Sequence, residues 1–255
     1  VRTLAAFLLE PRFMSMPPIR ICVIAPAHSR TDTPPLLEAL RPVTPPDVLV
    51  DIRHIREGSP CVENRTDWQE NGMAVVRLAR ELAEEGYDGL WVADFDMCGV
   101  EAAREVVDIP VAGGFVPAVF TALGLSGRFS ILTLSQSTLA MQRSHARAYG
   151  VDGALASVRQ LNCSPDDLNH TELVVNKALE QALRAVKEDG AEAIVLGHTG
   201  LIQVARRVSE LLEDILGVYV PVIDPNQAGF GFLLALTRMG LRPGRLTYTK
   251  VKLPS

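Results

Sequence analysis

"EEGYDGLWVADF" (84–95) and "EDGAEAIVLGHT" (188–199) follow one frame. Each leaves an acidic, helix-like stretch through a glycine, Gly86 or Gly190, and then runs through apolar residues to a polar side chain. That side chain is Asp94 in the first segment and His198 in the second. Gly86 and Gly190 are 104 residues apart, and so are Asp94 and His198. Glycine takes the left-handed conformation that stops a helix at little cost. A short apolar run bounded by turn residues reads as a buried strand. Each segment therefore predicts a helix end, a strand, and a polar group at the strand's carboxyl end. A loop containing Gly99 or Gly200 and a further helix follow.

The pattern extends outward from these two segments. Strands are predicted at 19–27, 48–55, 88–95 and 109–114, with helices at 71–87 and 99–107. It then restarts, with strands at 128–135, 155–162, 191–198 and 220–225. Helices are predicted at 117–125, 137–150, 172–190, 201–216 and 228–240. Strands alternating with helices imply parallel sheets built from βαβ units. The expected fold is α/β, with two similar parallel-sheet βαβ lobes, pseudo-twofold symmetry and an active site between them. The first lobe is assigned 18–115 plus 220–255 and the second 116–219, with 1–17 as an N-terminal extension.

Composition narrows the function classes. Of 255 residues, 47% are hydrophobic, which suits a packed core and excludes a disordered chain. The net charge of −5 comes without a basic cluster, so no nucleic-acid partner is expected. The run "LAAFLL" near the start is too short to span a bilayer, and no membrane partner is expected. Cys22, Cys61, Cys98 and Cys163 form no CxxC pair and no zinc-site spacing. Free thiols and a cytoplasmic location are expected, with no metal and no cofactor. Homo-oligomerisation is left open.

The segments "DGLWVADFDMCGVEAAREVVDIPVAGG" (88–114), "FSILTL" and "ASVRQL" (within 129–161), "AEAIVLGHTGL" (191–201) and "VPVIDP" (220–225) resemble the aspartate/glutamate racemase superfamily. The hydantoin racemase branch is the nearest likeness, and it covers about residues 19–249. The resemblance implies two lobes, an active site between them, and cofactor-independent proton transfer at a carbon acidified by a carbonyl. It also implies a cysteine at each of the two strand ends. Here Asp94 and His198 stand at those positions. Cys98 lies four residues past Asp94, where the family commonly has proline. Cys61 falls where serine or threonine is common, and Val116 falls where many relatives carry glutamate. The same likeness sets His28, Ser29, Phe95, Cys61, Thr133, Thr199 and Gly200 around a small carboxylate or carbonyl substrate.

An aspartate and a histidine have ordinary pKa values of roughly 3.9 and 6.5. On opposite sides of a carbon they form a base and an acid. Backbone N–H groups after Asp94 and His198, at helix N-termini, are expected to hold a developing enolate. The pair is asymmetric, so three classes stay open. One is an isomerase (racemase, epimerase or double-bond isomerase), another is a decarboxylase, lyase or hydrolase, and the third is a non-catalytic binding protein. The structural alternative is that Asp94 only caps a helix and His198 only ends a strand.

Overall fold

The computed structural model describes residues 17–27 and 33–252. The first half runs β1 (Ile19–Ala25), α1 (Thr33–Leu40), β2 (Val48–His54), α2 (Arg65–Glu84), β3 (Gly89–Val92), α3 (Val100–Val106), β4 (Val111–Ala112) and α4 (Phe115–Leu123). The second runs β5 (Phe129–Thr133), α5 (Gln136–Ala148), β6 (Leu155–Gln160), α6 (Thr171–Asp189), β7 (Ala193–Leu196), α7 (Val204–Leu216), β8 (Val222–Ile223) and α8 (Pro225–Arg238). The strands form two parallel four-stranded sheets, ordered β2-β1-β3-β4 and β6-β5-β7-β8. These orders are one order used twice. The 104-residue offset also holds from Gly89 to Ala193, from Val92 to Leu196 and from Val100 to Val204. Gly99 and Gln203, which precede α3 and α7, both have positive φ, 70° and 63°.

Period-two alternation sorts the strand side chains onto two faces. Leu90 and Val92 face the core under α2 and α3, whereas Trp91 faces α1 and α8. In the second sheet Ile194 and Leu196 pack with α6 and α7, while Ala193 and Val195 join the core shared by the lobes. The last helix of each half crosses over. α4 packs on β5, β7 and β8, α8 packs on β3 and β4, and α4 and α8 touch each other. Trp91, Phe95, Phe115, Phe129 and Phe230 are fully buried, and each contributes on the order of 1.5–3 kcal/mol of apolar burial.

This exchange corrects the assignment of 220–225 to the first lobe. β8 pairs with β7, Ile194 opposite Val222, as β4 pairs with β3, Leu90 opposite Val111. A parallel crossover through α7 returns the chain to its own sheet, so only the helix after β8 reaches the first lobe. Residues 1–16 of the expected extension lie outside the described residues.

The sequence reading gave no helix between β1 and β2. α1 occupies "TPPLLEAL", whose prolines lie in the first turn, where a missing N–H costs nothing. α2 starts six residues before its expected position because the Asn64 side chain accepts N–H bonds from Thr66 and Asp67 at 2.9 and 3.1 Å. α8 starts three residues early, with Asp224 bonding the Asn226 N–H and Pro225 in its first turn.

α8 approaches β3 closely at Gly229, where a Cβ would lie 2.5 Å from Trp91 Nε1 and 3.1 Å from the Gly113 carbonyl oxygen. Gly229→Ala should therefore destabilise the protein by about 1–3 kcal/mol, read as a lower urea midpoint. An unchanged midpoint would show that the α8 seat has slack to spare.

Candidate active site

Asp94 follows β3 by two residues, at the carboxyl edge where parallel sheets bind ligands. Its backbone carbonyl accepts the Gly114 N–H at 2.9 Å, tying the loop to the start of α4. Its side-chain Oδ2 accepts the Cys98 N–H at 2.8 Å. Burial, and then the neighbouring Asp96 charge, push the Asp94 pKa up to about 7. The Cys98 N–H, His145 and the Asp96 N–H pull the other way. An ionised carboxylate in this position loses solvation that two backbone donors only partly replace.

His198 occupies the equivalent place after β7. Its Nδ1 accepts the Gly200 N–H at 2.9 Å. An amide can only donate, so Nδ1 carries no proton in this arrangement and the neutral ring bears its proton on Nε2. A Cβ at position 200 would come within 2.9 Å of that Nδ1 and 2.8 Å of Leu168. The next residue joins the two lobes: Thr199 Oγ1 donates to the Ala93 carbonyl at 3.0 Å, one residue before Asp94. Asn226, buried at the start of α8, donates to the Thr199 carbonyl at 2.9 Å.

Beneath both loops lies Gln142 of α5. Its amide nitrogen reaches the Gly197 carbonyl at 2.9 Å, Thr133 Oγ1 at 3.2 Å and Asp96 Oδ2 at 3.4 Å. One side chain thus links the ends of β5 and β7 to the loop after β3. Asp96 is 5% exposed, with Oδ1 3.4 Å from His145 Nε2. Among the described residues no group of three or more His, Cys, Asp or Glu is placed to hold a metal ion, and no helix is long and apolar enough to cross a membrane.

The Asp/Glu/hydantoin racemase family model matches residues 21–233. The chain belongs to the Asp/Glu/hydantoin racemase family. A hydantoin racemase from Pseudomonas sp. (strain NS671) is 29% identical over 89% of this chain and 90% of that one. The allantoin racemase from Klebsiella pneumoniae superposes with a TM-score of 0.84 at 31% identity, covering 93% of this chain and 96% of that one. Arylmalonate decarboxylase, 20% identical with a TM-score of 0.59, shares the fold. Family membership supports a racemase-type isomerase at the level of reaction class.

Within this racemase fold the expected site residues divide. Asp94, His198, Thr199 and Gly200 come together where the two strand ends meet. Phe95 and Thr133 do not offer themselves to a ligand. Phe95 is 1% exposed and packs edge-on against Phe115 at 5.5 Å, because the strand's alternation turns it into the interlobe core. Thr133 is equally buried and bonds Thr138 Oγ1 at 2.5 Å. Cys61 lies in the loop before α2 and donates to Glu63 at 3.0 Å; burial and Glu63 push its thiol up to about 12. Cys98 donates to the Trp68 carbonyl, and burial holds its thiol protonated. His28 and Ser29 lie outside the described residues.

The expected amide donors are also reassigned. The Cys98 and Gly200 N–H groups are taken by Asp94 and by His198 themselves, so neither is open to an enolate in this state. Asp96, Gln142, His145 and Asn226 were not anticipated. A signal for two of them existed on α5: Thr138, Met141, Gln142 and Ala146 form its buried stripe, with His145 beside it. Polar groups on such a stripe need partners.

An aspartate whose folded pKa lies near 7, above the ordinary 3.8, holds its proton more tightly folded than unfolded. Its stabilising contribution is therefore complete below about pH 3.8 and lost as pH rises through about 7. Asp224, raised to about 6 by burial, acts in the same sense. Asp94→Asn should match the parent near pH 4 and exceed it at pH 8 by on the order of 1 kcal/mol or more in urea unfolding. A variant less stable than the parent at pH 8 would contradict the burial account.

Proposed function

We propose that this chain is a cofactor-independent racemase acting on a compound with a hydantoin ring, with Asp94 and His198 as its proton-transfer pair. The observation that carries the reading is the matched placement of two titratable side chains at the ends of β3 and β7, in loops joined by Thr199 and Ala93. The curated relatives include hydantoin racemases, and a close structural relative is an allantoin racemase. Both names denote a ring whose reacting carbon lies between a carbonyl and a nitrogen.

In one direction ionised Asp94 takes the proton from that carbon, and the electrons pass into the carbonyl as an enolate. Doubly protonated His198 then returns a proton to the opposite face, leaving the inverted carbon, Asp94 protonated and His198 neutral. The reverse reaction starts from that state. Both directions thus use the same total number of protons on the pair. A pKa near 7 suits Asp94 to both roles, since a group half-ionised at the working pH serves as base and as acid.

The Gly200 bond adds a requirement. Transfer through Nε2 needs a proton on Nδ1, and transfer through Nδ1 needs that atom vacant. The Gly200 amide aimed at Nδ1 blocks both, so the ring turns off Gly200 when substrate binds. The same bond favours a second reading, in which His198 stays neutral and its Nε2–H only polarises the substrate carbonyl.

Asp94→Asn and His198→Gln should each lower kcat/KM for a 5-substituted hydantoin by ~10²–10⁴-fold while leaving circular dichroism unchanged. The double variant should be scarcely worse than either single one. In the first reading His198→Gln keeps solvent hydrogen exchange at the substrate carbon with retained configuration; in the second, exchange and racemisation fall together. Near-normal turnover by both single variants would reduce Asp94 to a loop cap and His198 to a strand-end residue.

A further inference from the structure

Directly under Asp94, two buried polar atoms face each other without a hydrogen bond. Asp96 Oδ1 and His145 Nε2 are each enclosed and unbonded, and they lie 3.4 Å apart. Buried polar atoms are rarely left so in folded proteins, and an unpaired buried carboxylate is costly. The two residues come from different lobes. Asp96 lies in the loop after β3, and His145 lies on α5 of the second half. The surroundings hold both in place. Trp68 Nε1 donates to the Asp96 backbone carbonyl at 2.9 Å, Gln142 approaches Asp96 Oδ2, and the His145 ring lies 5.4 Å from Phe115 and 6.4 Å from Trp68.

We infer that Asp96 and His145 form a positioning pair that sets the charge of Asp94 from across the lobe boundary. Asp96 lies two residues from Asp94 and carries a like charge that opposes ionisation of the reacting carboxylate. A protonated His145 offsets that charge; a neutral one leaves it unopposed. The other groups facing this cluster do not replace His145. Cys98 is a protonated thiol, Glu101 of α3 accepts the Tyr149 hydroxyl, Arg65 of α2 is bonded to Ser144, and α4 contributes the apolar Phe115. His198 is tied to Gly200 in the neighbouring loop. Because the pair spans the lobes, any shift between them alters the 3.4 Å separation and with it the charge of Asp94. Neither residue needs to touch substrate.

The bearing of this pair on turnover rests on the proposed role of Asp94, but its effect on charge does not. The test is therefore a carboxyl-carbon NMR titration of the free protein labelled at aspartate, with the Asp94 signal identified by its loss in Asp94→Asn. His145→Gln should raise the Asp94 midpoint by about one pH unit, a tenfold change in proton affinity. Asp96→Asn should lower it by a similar amount, and adding Asp96→Asn to His145→Gln should bring the raised midpoint back down. In turnover, the rising limb of the pH–rate profile should move with the midpoint, and activity lost in His145→Gln at neutral pH should return at higher pH. A structural role alone would lower activity at every pH. If His145→Gln does not fold, Asp96→Asn decides the matter, since it keeps the shape of the side chain. An Asp94 midpoint unmoved in Asp96→Asn overturns the inference, even in a protein that turns over as proposed. A midpoint that moves in a protein without racemase activity supports the pair and overturns only the functional reading.

Discussion

The last helix of each half packs against the sheet of the other. α4 leaves the first sheet to cover β5, β7 and β8, and α8 leaves the second to cover β3 and β4. This exchange is the constraint on which the rest depends. Helices packed on a partner's sheet cannot separate without exposing Trp91, Phe115 and Phe230, all fully buried, so the two parallel sheets are held with β3 and β7 at a common boundary. The Thr199 hydroxyl on the Ala93 carbonyl and the Gln142 amide on the Gly197 carbonyl then fix the two strand ends locally. A parallel sheet presents its ligand-binding edge at its strand ends. Two copies joined this way present two such edges to one space.

Much of this was legible in the sequence because a repeat reveals itself by spacing. The interval from Asp94 to His198 is the interval that the strands and following helices keep in space. Glycines fixed the helix ends, with Gly86 and Gly190 both at positive φ. The destination of the chain after residue 220 was less legible. An apolar strand such as "VPVIDP" carries no mark of which sheet it joins, and the repeat logic that pairs β8 with β7 becomes decisive only once β4 is known to lie beside β3. α1 was hidden by its prolines, which look like loop residues until placed in a first turn.

The site was legible in its poles and not in its support. Asp94 and His198 could be read because they end strands. Thr133 and Phe95 were misplaced because neighbourhood along the chain is not neighbourhood in space: both turn inward, one into a hydroxyl–amide network and the other against Phe115. Asp96, Gln142 and His145 gave no strand-end signal, yet they surround Asp94 with the charges and dipoles that set its proton affinity. Burial alone would make Asp94 a poor carboxylate. Its value near 7 reflects burial and Asp96 pushing up against the Cys98 amide and His145 pulling down. A replacement for a thiol in this position needs that balance, because an exposed aspartate is too weak a base for a carbon acid and a fully desolvated one does not ionise.

The central claim is that the two strand ends act on opposite faces of one carbon. Its most direct test is racemisation of a single enantiomer of a 5-substituted hydantoin in deuterated water, stopped at low conversion, with each enantiomer then separated and its deuterium content measured. The account predicts deuterium at the reacting carbon of the inverted enantiomer and almost none in the unconverted one, because the base that removes the proton is not the group that delivers the new one. Equal deuterium in both enantiomers from the earliest times would contradict it.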